Sequence, residues 1–86
     1  MVNLVDDEYY YSVARYNIRK YRLERGLTQE ELAELSDISY DYFREIENEK
    51  RNKHFSLAIL TRIVMALDIS MMQLFDDNEF LNKKSS

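Results

Sequence analysis

The chain has a single histidine, His54, and no cysteine. A Ser-His-Asp system or a zinc site needs a second imidazole, a thiolate or an oriented base beside it. No such partner set is visible, so His54 reads as structural, no metal ligand or cofactor is assigned, and an enzyme is not expected. The chemistry that remains is charge and hydrogen bonding. Asp41, Arg44 and Glu45 stand at helical spacing, and Lys50, Arg51, Lys53 and His54 follow as a basic run. A charge run of that kind is ordinarily a solvated loop, so its meaning depends on the elements that carry it.

With 86 residues, 45% of them hydrophobic and 33% charged, the chain fits one domain with enough apolar material for a core. The absence of cysteine rules out disulfides and fits a reducing compartment. The absence of proline and a single glycine, Gly26, argue against collagen-like, Gly-rich phosphate-loop and hairpin-rich folds. The N-terminus lacks a basic region followed by an apolar one, and no stretch approaches about 18 apolar residues, so a soluble cytoplasmic protein without membrane contact is expected. A formal charge of −4, from 12 basic and 16 acidic residues, argues at face value against nucleic acid. Its distribution softens that objection. Arg15 to Arg25 holds five basic residues against Glu24, Lys50 to Arg62 holds no acid, and the acids gather between Glu30 and Glu49.

Hydrophobic spacing predicts five helices. In the first, from Ser12 to Arg25, Ala14, Ile18 and Tyr21 recur at i, i+4, i+7, and Gly26 stops it. Thr28 and Glu31 form a capping box that opens a short second helix burying Leu32 and Ala33. Ser39 caps a third helix from Tyr40 to about Glu49, with Tyr42 or Phe43 and Ile46 inward. Ser56 caps a fourth with a stripe of Leu57, Leu60, Ile63, Val64 and Leu67, and Ser70 with Gln73 opens a last short one carrying Met71, Leu74 and Phe75. The predicted division is an acidic, tyrosine-rich extension (1–11), a domain (12–75) and a polar tail (76–86). Tyr10 or Tyr11 is expected to cover the bundle. The three- or four-residue link between the second and third helices is the layout of a helix-turn-helix.

The run from Tyr21 to Ala33, containing Arg25-Gly26-Leu27-Thr28-Gln29-Glu30-Glu31-Leu32-Ala33, is followed by Ile38-Ser39, Ile46-Glu47-Asn48 and Ala66-Leu67-Asp68-Ile69-Ser70. In order and spacing these closely resemble the phage repressor and Cro (XRE-type) helix-turn-helix family, over roughly Ala14 to Phe75. The resemblance implies an all-α, five-helix, lambda-repressor-like DNA-binding domain with its helix-turn-helix at the second and third helices. It also implies an internal ion pair, Arg22 with Glu47, and a phosphate contact at Gln29. The third helix then reads an operator's major groove. Its base-reading residues are Ser39, Tyr40, Asp41, Arg44 and Glu45, with Arg44 the bidentate donor to guanine. Gln29, Asn48, Lys50, Arg51 and Lys53 are expected to hold phosphate.

Three departures qualify the resemblance. Asp37 stands where the turn usually has glycine, the loop after the third helix is longer than usual, and Asp41 and Glu45 place carboxylates on the reading face. The expected function is a repressor-like transcriptional regulator acting on double-stranded DNA as a homodimer, joined through the C-terminal helix with Phe75, Phe80 and Leu81. No small-molecule ligand is evident. The acidic third helix motivates an alternative, a helix-turn-helix fold used as an antitoxin-like or regulatory protein-interaction module with little DNA binding.

Overall fold

Four of the helices begin where a short polar side chain takes up an orphan backbone amide. Thr28, Ser39, Ser56 and Ser70 accept from the amides of Glu31, Tyr42, Ile59 and Gln73, and Glu31 and Gln73 complete capping boxes. The computed structural model describes residues 7–85. Among them lie α1 (Asp7–Glu24), α2 (Gln29–Leu35), α3 (Tyr40–Glu47), α4 (Leu57–Leu67), α5 (Met71–Leu74) and α6 (Asn78–Ser85), with no strand. Residues 1–6 of the acidic extension lie outside the described residues.

Three of the helices, α1, α2 and α4, also stop for a common reason. Leu27 donates to Arg22 O and Gly26 to Leu23 O; Ile38 to Ala33 O and Asp37 to Glu34 O; Ile69 to Val64 O and Asp68 to Met65 O. Each set is a Schellman closure around one left-handed residue, with φ of +68° at Gly26, +59° at Asp37 and +57° at Asp68. Aspartate thus takes the glycine position of the helix-turn-helix. Arg62 of α4 donates to the carbonyl of Asp37 at 3.2 Å, which ties that turn to the bundle.

The core is built from the inward faces of α1 to α5. Ala14, Ile18, Leu32, Ala33, Phe43, Ile46, Leu60, Ile63, Val64, Leu67 and Leu74 pack as one cluster, with Tyr11, Tyr42, Met71 and Phe75 against its rim. Phe43, not Tyr42, is the fully buried aromatic of α3. Leu57 departs from the expected stripe: it is 71% exposed, because it sits at the first residue of α4, beyond the end of the core. Asn17 of α1 donates to the carbonyls of Leu74 at 2.6 Å and Asp76 at 2.9 Å, fastening the end of α5.

Both ends of the chain are more helical than periodicity suggests. α1 begins at Asp7 rather than Ser12, and part of the segment read as a polar tail is α6. Phe80 of α6 is buried, edge-on to Tyr9 and Tyr16, and Phe75 meets Tyr10. These rings cover one another within the chain, which withdraws Phe80 from a surface open to a second copy. Tyr11 covers the bundle, stacked on His54 and edge-on to Phe55, whereas Tyr10 stays half exposed. No single helix among the described residues is long and apolar enough to cross a membrane.

Candidate nucleic-acid interface

A rigid frame lies beneath α3. Glu47 at its C-terminus is buried, with a side chain 2% exposed, and Arg22 meets it bidentately, Nε to Oε2 at 2.7 Å and Nη2 to Oε1 at 3.0 Å. Two parallel N–H donors match the carboxylate's plane, the geometry that makes an Arg–carboxylate pair directional. Gln29 Nε2 adds a bond to Glu47 Oε1 at 2.9 Å, and Arg19, largely exposed, reaches within 3.8 Å of the same oxygen. Arg15 is buried and donates to the carbonyls of Ile46 at 2.7 Å and Lys53 at 2.8 Å. Burial pushes its pKa down, opposed by the field of Glu8 and Glu49. Arg15, Arg19 and Arg22 recur at i, i+4, i+7 along α1, so one stripe of cations meets the end of α3, where the helix dipole also favours positive charge.

Above this frame α3 turns its polar side outward. Phe43, Ile46 and Glu47 face in, while Tyr40, Asp41 and Arg44, at i, i+1, i+4, are exposed and Glu45 is half-buried beside them. Arg44 Nη2 lies 3.0 Å from Asp41 Oδ1, and its guanidinium stands 5.1 Å from the centre of the Tyr40 ring. Ser39 spends its hydroxyl oxygen on the α3 cap. An open groove of about 900 Å³ runs past Arg19, Gln29, Asp41, Arg44, Glu45 and Lys50.

The loop from Asn48 to Phe55 borders that groove. Asn48 Oδ1 accepts from the amide of Lys50 at 3.0 Å, shaping the turn, and Lys50 itself is exposed. Arg51 and Lys53 both pair with Glu45, at 3.2 and 3.0 Å, and the Lys53 ammonium lies over Tyr42. The hydrogen bond from Lys53, then the charges of Lys53 and Arg51, hold the Glu45 carboxyl below its ordinary pKa. His54 Nε2 meets Glu8 Oε2 at 2.6 Å, tying the loop to the first turns of α1.

The structure therefore gathers most of the sequence-derived residues around one groove, but gives several a second task. Gln29 has one amide N–H engaged by Glu47 and a second left to reach outward. Arg15 and Arg19 were not singled out from the sequence, although their helical register with Arg22 was there to read.

An all-α bundle that presents one polar helix across a short turn, with cations along both borders, is the architecture of a helix-turn-helix protein. A helix-turn-helix family model matches residues 18–74. The chain belongs to this family, in its phage-repressor (XRE) branch. Among solved structures it is similar to a hypothetical transcription factor, NHTF, from Neisseria, at 25% identity and a TM-score of 0.73 over 98% of this chain and 95% of that one. It is also similar to the restriction-modification controller protein C.Esp1396I, at 32% identity and 0.68 over 88% and 92%. A third is the clp gene regulator ClgR from Corynebacterium glutamicum, at 25% identity and 0.69 over 87% and 82%. No curated protein sequence matches the chain. The family and these neighbours are transcription regulators rather than enzymes.

Proposed function

We propose that the chain is a sequence-specific, repressor-like DNA-binding transcriptional regulator that lays α3 in the major groove of an operator. The observation that carries this reading is the exposed Tyr40-Asp41-Arg44 stripe standing on a frame locked by the buried Arg22–Glu47 pair. A recognition helix must be held at fixed height and tilt for its side chains to meet base edges, and three arginines of α1 supply that constraint. Arg44 is the bidentate donor to guanine; Ser39, Tyr40, Asp41 and Glu45 complete the reading set. Lys50, Arg51, Lys53 and Asn48 lie on the flanking backbone, with Gln29 and Arg19 on the opposite border.

One copy makes few base contacts, so we place it in a symmetric homodimer whose recognition helices meet major grooves about 34 Å apart. With Phe80 buried, Leu81 is the expected contact residue that stays exposed, and the two-fold contact extends to the apolar side chains exposed on α4 and α5, Leu57, Met65 and Met72.

The test is binding of the full chain to random-sequence duplex over a salt series, followed by selection of bound duplexes from a random pool. The expected result is log K falling linearly with log salt and recovered sites with a two-fold repeat. No binding even at low salt would overturn the reading and favour a protein partner.

A further inference from the structure

The basic loop does not meet solvent as bare charge. Glu45, one turn of helix from Asp41, engages two cations at once, Oε2 with Arg51 and Oε1 with Lys53. The loop cannot simply swing clear of it, because Arg15 holds the Lys53 carbonyl and His54 meets Glu8. A phosphate approaching Arg51 or Lys53 therefore has to displace a carboxylate and then lie beside its negative charge. On duplex of arbitrary sequence, that exchange leaves the carboxylate with no partner and sets it against the backbone. On a sequence offering a cytosine amino group to α3, the carboxylate gains a donor in the groove as it loses the two cations. Exposed ion pairs are weak enough for the exchange to be reversible, since solvent screens them and long side chains lose freedom in holding them.

We propose that Glu45 is a specificity-determining residue that couples base reading to phosphate contact. It withholds Arg51 and Lys53 from nonspecific duplex and releases them where cytosine N4 donates to its carboxylate. This rests on the DNA-binding reading above. The acidity of the reading helix then sharpens discrimination by suppressing the nonspecific background. The latch is closed at neutral pH, where the carboxyl is ionised, and the Lys53 hydrogen bond and charge keep it so further into acid.

The experiment compares wild type, Glu45→Gln and Glu45→Ala on random duplex and on a site selected with the wild type, each over a salt series. Thermal melts confirm that the variants fold, as a side chain 37% exposed leads one to expect. Both variants should bind random duplex about tenfold tighter at moderate salt, with a slope steeper by up to about 1.8, since each of two newly contacted phosphates adds about 0.9. The ratio of specific to nonspecific affinity should narrow. Lys53→Gln should cost little on random duplex in the wild type and more in the Glu45→Gln background. If the wild type binds with its normal slope and folded Glu45 variants leave random-duplex binding unchanged, the role of Glu45 is overturned while the DNA reading stands. If no variant binds duplex at low salt, both fall.

Discussion

Glu47 is buried and met by Arg22, Gln29 and Arg19, and its surroundings decide what each neighbouring arginine contributes. Arg22 is buried with it; Arg19 reaches the same carboxylate from solvent, its side chain 60% exposed. Removing one member of a buried pair strands the other charge, so Arg22→Ala should destabilise the fold by about 3–5 kcal/mol. Arg19→Ala should cost less than about 1 kcal/mol, because an exposed pair is screened. Urea unfolding of the two variants checks the difference, and equal losses would contradict the burial argument. This pair entered the reading through family resemblance; the residues alone left it open, since nothing local distinguishes Arg22 from the other cations of the helix. The helical register of Arg15 with Arg22 is legible in the sequence, but its burial is not. Its burial depends on carbonyls 31 and 38 residues away along the chain.

At the scale of elements, the four capped helix starts were legible because capping is local: the side chain and the amide it serves are three residues apart. Asp37 is legible as the occupant of the turn's glycine position only through the family resemblance, and its positive φ follows from that position. α6 was not, because residues 76–86 hold only Phe80 and Leu81 as large apolar side chains and show no period. Its helix exists through contacts with Tyr9 and Tyr16, far earlier in the sequence. Leu81 donates its amide to Asp77 O in the first turn, and Lys20 meets Glu79 at 3.2 Å. Tyr9 reports on this docking. Its hydroxyl donates to the Asp77 carboxylate, and that bond, with smaller contributions from burial and charge, raises the phenol from 10.0 to about 12. A folded-state pKa above the unfolded one stabilises fully below pH 10.0 and loses that stabilisation as pH rises towards about 12. An alkaline tyrosinate titration should therefore show a late component near 12, with the Phe80 ring signals shifting in the same window. Tyr9→Phe should remove the late component. Identical curves for the two proteins would show that Tyr9 does not hold α6.

On the scale of the whole molecule, the formal charge of −4 first argues against DNA, and the structure shows where the acids are spent. Glu47 is internal, Glu45 and Asp41 are paired with the cations of the reading surface, and Glu8 meets His54. The basic side chains Arg19 and Lys50 remain exposed at the groove. The described residues present one reading helix, so the proposed dimer supplies the second, about 34 Å away. The fold was legible because helical period, caps and family motifs agree on one bundle. Several residues that line the α3 groove could be named from the sequence, but their pairing could not, since which acid meets which cation is settled only by packing. The most direct measurement of the central claim compares Arg44→Ala with Lys50→Ala on the selected site and on its single-base variants. If α3 reads the major groove, Arg44→Ala costs about 1–3 kcal/mol on the preferred site and flattens the preference at one position. Lys50→Ala instead weakens every sequence alike and makes the salt slope shallower. Equal loss on all sequences from Arg44→Ala would contradict the account.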